Sequence, residues 1–283
     1  MSLILNTEYQ SNIQAFATYS DKIMFLCYNV DTQTNELFRY TISSTFTLTQ
    51  KEEIKNINIS ALCKVMDMIV KGDEVIIFGS KEIISFKLND IRDEYIIDTS
   101  IISLRDLLRN MKNTINFQRQ QSKRIISCNL CSVNIIGEKV FLGVNLTREQ
   151  NKQVIRNCII IQAKIDKSVS YFHITDETIL VDDYYLNKKA CEKGLPYQRL
   201  TGISYHNNVL YVATSDDIRS YLWSYTYLPH VQDFVVVPVL YCNCVEQIIS
   251  KIQVINDALY ISFNSKKIGN DLKQIKISDL VVS

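Results

Sequence analysis

Residues Gly202 to Tyr227 read GISYHNNVLYVATSDDIRSYLWSYTY. An apolar run ends at a polar pair, Asn207-Asn208. A second run, Val209 to Thr214, ends at an acidic pair, Asp216-Asp217. A third run carries Tyr221, Trp223, Tyr225 and Tyr227 at every other position. Short apolar runs separated by Asn and Asp turn residues form the pattern of an antiparallel strand meander. Side chains two apart on a strand share a face, so the four aromatics are expected to pack the sheet rather than to stack bases or sugars.

The same phrase recurs along the chain. A small or polar residue, an acid or amide and one variable residue precede an apolar β run at Ser20-Asp21, Gly72-Asp73, Gly137-Glu138, Asn207-Asn208 and Asn256-Asp257. The second residues, at 21, 73, 138, 208 and 257, are spaced by 52, 65, 70 and 49 positions. Four strands can be drawn around each of the first four copies, beginning with Ile13–Tyr19, Ile23–Tyr28, Leu37–Ile42 and Phe46–Gln50. In the second copy the fourth strand falls at Tyr95–Asp98. The fifth copy supplies only three, the last at Gln274–Ile277. The strand-like Ser2–Glu8 is placed to supply the one that is missing.

Four-stranded sheets repeated around a closed ring resemble the β-propeller fold, and full closure leaves no raw sheet edge. The resemblance covers essentially the whole chain. It implies an all-β fold: one five-bladed propeller domain over residues 1–283, closed by the N-terminal segment 1–9. It names no subfamily, because Trp223 is the one tryptophan and neither a repeated Trp-Asp pair nor a Gly-rich kelch pattern is present. A β-sandwich followed by a second β domain would give similar regular turns and stays open here.

Two long connections interrupt the repeats and are expected to be short helical insertions, at 100–123 and 176–199. In the first, Ile101, Leu104, Leu107, Leu108, Met111 and Ile115 recur at helical spacing beside Arg105, Arg109 and Lys112. A basic amphipathic helix suits an acidic partner or the membrane surface, through 101–115; the alternative is a helix docked on the sheets with a solvated basic face. The second connection carries Asp182-Asp183-Tyr184-Tyr185, then Lys188 to Lys193, with Gly194 placed to end a short helix.

A net charge of +1 gives no global field for nucleic acid, and 47% apolar residues are ample for a core. There is no basic leader segment and no apolar run of about eighteen residues. Eight cysteines are expected to be reduced thiols of a cytoplasmic protein, or of one delivered to a host cytosol by a leaderless route. Cys128 and Cys131 form a CxxC, but on a regular strand residues three apart face opposite ways and share no metal unless a bulge intervenes. No metal or cofactor is expected. The three histidines, His173, His206 and His230, are scattered, and no nucleophile, zinc or phosphate-binding motif is present.

If each sheet runs from inner to outer strand, both long connections emerge at the same end as the loops between second and third strands. Those loops are expected at Asn29–Glu36, Leu146–Asn157, Ser215–Ser220 and Asn264–Lys273. Asp182, Asp183, Tyr184, Tyr185, Asp216 and Asp217, with Arg105, Arg109 and Lys112, are therefore the candidate partner-binding residues. The expectation is a monomeric, non-enzymatic module presenting this loop face to a protein partner, as a bacterial effector or immunity-type protein would. Two alternatives remain: a hydrolase or lyase using converging carboxylates at a channel mouth, and a lectin-like binder of small ligands.

Overall fold

The computed structural model describes residues 11–43, 48–54, 59, 65–79, 82–88, 102–103, 124–136, 139–150, 152–166, 173–181, 199–216, 219–228, 233–237, 247–255, 257–265 and 269–280. Among them the chain is all-β, with one 3-10 turn at Ile277–Asp279 and no α-helix. Its strands form five antiparallel sheets, each a meander whose strands lie in chain order. The first holds β1 (Ser11–Tyr19), β2 (Lys22–Asn29), β3 (Thr34–Ile42) and β4 (Leu48–Ile54). The second holds β5 (Val65–Lys71), β6 (Glu74–Gly79), β7 (Glu82–Lys87) and β8 (Ile102–Ser103). The third holds β9 (Arg124–Ile136), β10 (Lys139–Gln150), β11 (Gln153–Asp166) and β12 (His173–Val181). The fourth holds β13 (Arg199–His206), β14 (Val209–Ser215), β15 (Ser220–Leu228) and β16 (Asp233–Val237). The fifth holds β17 (Gln247–Ile255), β18 (Ala258–Ser265) and β19 (Gly269–Lys276). Five meanders of three or four strands fit the propeller resemblance.

Four expectations are corrected. The stretch 176–199, read as a helical connection, begins as strand, because β12 runs on to Val181. The strand that pairs with β7 is Ile102–Ser103, inside the stretch read as the start of a helix. The stretch Leu146–Asn157 is almost entirely strand, because β10 and β11 continue as a long polar hairpin with a register running to Gln150↔Gln153. Likewise Asn264–Lys273 is mostly strand, with β18 reaching Ser265 and β19 starting at Gly269. The segments 1–10, 104–123 and 182–198, and with them the expected closing strand and the bulk of both helical insertions, lie outside the described residues.

The repeated phrase encodes a hairpin turn followed by a strand buried on both faces. Ser20, Gly72, Asn207, Asn208 and Asp257 all take positive φ, from 47° to 62°. Gly, Asn and Asp reach that region most readily. Behind the turns, Ile23–Cys27, Val75–Gly79, Val140–Val144, Leu210–Ser215 and Ala258–Phe263 are buried without a break. Burial on both faces replaces alternation with a continuous apolar run. In the first, second and fifth sheets the turn acid is tied down: the carbonyls of Asp21, Asp73 and Asp257 accept the N–H of Ile42, Leu88 and Ile277 at 2.6, 2.7 and 3.0 Å.

Each first strand also carries a β-bulge, at Gln14, Met66, Cys131, Thr201 or Ser250, the residue its register skips. Each lies six residues before the first residue of its turn phrase: 14 before 20, 66 before 72, 131 before 137, 201 before 207, 250 before 256. A bulge deprives a second-strand carbonyl of its ladder donor. In three sheets the bulged side chain supplies one: Cys131 Sγ donates to Gly143 O at 3.0 Å, Thr201 Oγ1 to Ala213 O at 3.2 Å and Ser250 Oγ to Ser262 O at 3.2 Å.

Two compact units are resolved by their internal contacts, residues 1–104 with 246–280, and residues 105–245 with 281–283. In the former, one face of the first sheet packs Ala15, Ala17, Met24 and Leu26 against Val65, Met68, Val75 and Ile77 of the second. Its other face packs Ile13, Phe16, Phe25 and Phe38 against Ala258, Tyr260 and Leu272 of the fifth. In the latter unit, Phe141, Cys158 and Ile160 of the third sheet meet Leu200, Ile203, Val212, Tyr221, Trp223 and Tyr225 of the fourth. The side chain of Asn145 clamps Leu200, donating to its carbonyl at 2.9 Å and accepting its N–H at 3.0 Å. Gly143 sits where a Cβ would lie 2.4 Å from Leu200 Cδ2, so a larger residue there must displace the buried Leu200 side chain. Tyr221, Trp223 and Tyr225 of β15 are thus sheet packing, as expected.

Candidate functional site

Within the fourth sheet, β13 begins at Arg199, paired with Ser215 at the end of β14. The chain arriving from 182–198 therefore reaches this sheet beside the Asp216–Arg219 turn. In the third sheet, β9 begins at Arg124, paired with Glu149 near the tip of the β10–β11 hairpin. The chain arriving from 104–123 reaches that sheet at its hairpin end. Asn145 and Leu200 join β10 to β13 toward these same ends. Asp182, Asp183, Tyr184, Tyr185, Arg105, Arg109, Lys112 and Asp217 themselves lie outside the described residues.

Asp216 is the one candidate among the described residues, and its carboxylate works inside its own turn. Oδ1 accepts the Arg219 N–H at 2.6 Å, Oδ2 accepts the Tyr221 hydroxyl at 3.2 Å, and the Asp216 N–H donates to Arg219 O at 3.0 Å. Burial, then the Asp216 charge, raises the Tyr221 phenol above its ordinary value. Asp216 is therefore a turn-forming acid that orients the residues after it.

The CxxC is corrected in one respect. Cys131 is the bulged residue of β9, so the strand does not alternate regularly between Cys128 and Cys131. The thiol of Cys131 is spent on Gly143 O, and burial pushes it well above its usual range. Burial likewise pushes Cys27 and Cys158 up to about 12. Protonated buried thiols are neither ligands nor nucleophiles. Among the described residues no three His, Cys, Asp or Glu side chains converge on a point that could hold a metal ion. His206 lies within 2.9 Å of the Asn207 amide, as part of its turn.

The sequence reading missed a buried ion pair. Asp67 of β5 and Lys251 of β17 are 0% and 4% exposed, and the Lys251 ammonium contacts the Asp67 carboxylate. Burial pulls the Lys251 ammonium down from 10.5 to about 7, and an adjacent carboxylate works against that pull. The signal was present in the sequence: one acid in VMDMIV and one base in IISKIQVI, each in an otherwise apolar run.

No protein-family model matches the chain, and no curated protein matches it. Solved structures similar to it are of the propeller type. The catalytic domain of the Coprinopsis cinerea GH62 alpha-L-arabinofuranosidase is 8% identical, with a TM-score of 0.47, over 95% of this chain and 92% of that one. A glycosyl hydrolase from Bacteroides ovatus is 10% identical, with a TM-score of 0.46, over 100% and 92%. The Neurospora crassa Pan2 WD40 domain is 5% identical, with a TM-score of 0.38, over 90% and 76%. Against a puromycin hydrolase mutant the chain spans 53% of that protein's length. At these identities and scores the likenesses carry no activity over. Among the described residues no helix is long and apolar enough to cross a membrane.

Proposed function

We propose that this chain is a non-enzymatic interaction module: a single five-bladed propeller, closed by Ser2–Glu8 beside β19, that presents one loop face to a protein partner. The observation that carries the reading is the register Arg199↔Ser215, with the corresponding Arg124↔Glu149. It supports the reading that the connections bearing Asp182, Asp183, Tyr184 and Tyr185, and Arg105, Arg109 and Lys112, serve the same end of the third and fourth sheets as the Asp216-Asp217 turn of the fourth. Those ends stand on tightly fastened sheets, and loops on a rigid scaffold are where recognition residues concentrate. Charge on such a face selects the partner and speeds its arrival. The engagement of both Asp216 oxygens in turn bonds favours recognition over acid–base chemistry.

The test is affinity capture with the intact chain, with Asp182→Ala, Asp183→Ala and Asp217→Ala combined, and with Arg105→Glu, Arg109→Glu and Lys112→Glu combined. A defined protein held by the intact chain, and lost from one charge variant that stays folded, is the expected result. Retention unchanged in both variants removes this face as the site. Glycoside or ester turnover abolished by the aspartate variant would replace the module by an enzyme.

A further inference from the structure

The residue that follows each bulge occupies the same place in all five first strands: Ala15, Asp67, Ser132, Gly202 and Lys251. All five are buried. Ala15, Ser132 and Gly202 are small and suit any buried strand, but one position is an acid and one a base, and these two meet. They belong to the second and fifth sheets, which pack on opposite faces of the first. At the equivalent position of the first sheet stands Ala15, small and fully buried.

We infer that Asp67 and Lys251 are a sorting device, which fixes the fifth sheet, and no other, on the outer face of the first. Repeated sheets raise a particular difficulty. Every one offers a similar apolar face to its neighbours, so hydrophobic burial alone ranks the possible neighbours weakly. A buried charge is costly unless it finds its opposite with good geometry, and this penalty separates one arrangement from the rest. Only one of the five equivalent positions is basic and only one acidic, so only one arrangement satisfies both.

The experiment is hydrogen exchange of the full chain, read by mass spectrometry, for Asp67→Lys, Lys251→Asp and the doubly exchanged chain. Each single change places two like charges together, and exchange in 247–265 and 11–19 should quicken by roughly tenfold or more, while 209–225 stays protected. The double exchange restores opposite charges in reversed order and should return 247–265 to its original protection. If a single variant does not fold, recovery of folded, protected protein in the double exchange gives the same support. Two results would overturn the inference: a double exchange no better than the singles, or singles whose fifth sheet exchanges as slowly as in the intact chain. So would Asp67→Leu with Lys251→Met matching the intact chain in protection throughout, since the pair would then be replaceable packing.

Discussion

Replacing Asp67 by Asn removes a charge while keeping the shape of the side chain, and leaves Lys251 buried in β17 without its carboxylate. Breaking a buried pair by removing one partner costs about 3–5 kcal/mol near neutrality, because an uncompensated charge stays inside. The loss should depend on pH in a calculable way. Burial holds the folded-state ammonium down near 7, whereas in the unfolded chain it titrates at 10.5. Between those values the unfolded chain keeps a proton that the folded variant has shed, so stability rises with pH by about 1.4 kcal/mol per unit. From pH 7.5 to 9.5 Asp67→Asn should regain about 2–3 kcal/mol, while below pH 7 it is flat and at its weakest. The intact protein should rise over the same range, because burial holds its lysine near 7 as well, but from a higher starting stability. Urea unfolding followed by circular dichroism measures the difference. Trp223 lies in the other unit and its fluorescence serves as an internal control. An Asp67→Asn variant indifferent to pH, or one as stable as the intact protein at pH 7, would refute the reasoning.

Three further outcomes are expected. Gly143→Ala drives a methyl into Leu200 and should cost about 1–3 kcal/mol, read from the thermal midpoint of Trp223 fluorescence, with partial recovery when Leu200→Ala is added. Asn145→Ala leaves the Leu200 N–H and carbonyl without their clamp and should cost about 2–4 kcal/mol by chemical denaturation. Cys27 and Cys158, raised by burial to about 12, should react with an aromatic disulfide reagent at pH 8 roughly a thousandfold more slowly in the folded chain than in urea, a rate followed by peptide mapping.

The hairpins were legible because two signals coincide at each of them. Asn207-Asn208 and Gly72 mark the left-handed turn, and the run behind each is apolar on both faces. The β10–β11 hairpin was not, since Thr147, Arg148, Glu149 and Gln150 are polar and a solvated two-stranded ladder resembles a loop in composition. Nor was β8, two residues inside a stretch whose apolar spacing suits a helix. The bulges escaped because they change strand alternation by a single residue, although the small hydroxyl or thiol at 131, 201 and 250 is the chemical trace of a carbonyl needing a donor. Of the candidate site, Asp216 was found at the right turn, where its carboxylate is held by the turn itself.

The two faces of the first sheet have different histories during synthesis. The face bearing Ala15 and Met24 meets Met68 and Val75 soon after they are made. The face bearing Phe16, Phe25 and Phe38 waits for Ala258, Tyr260 and Leu272. From Phe16 to Ala258 the ribosome must add 258 − 16 = 242 residues, which at ordinary elongation speeds takes about 10–50 s. Throughout that interval a patch of aromatic surface is uncovered on an otherwise formed hairpin stack. Nascent chains of this protein are thus exposed to aggregation for most of their translation, and a holding chaperone should engage them through the N-terminal hairpins and let go once β18 emerges.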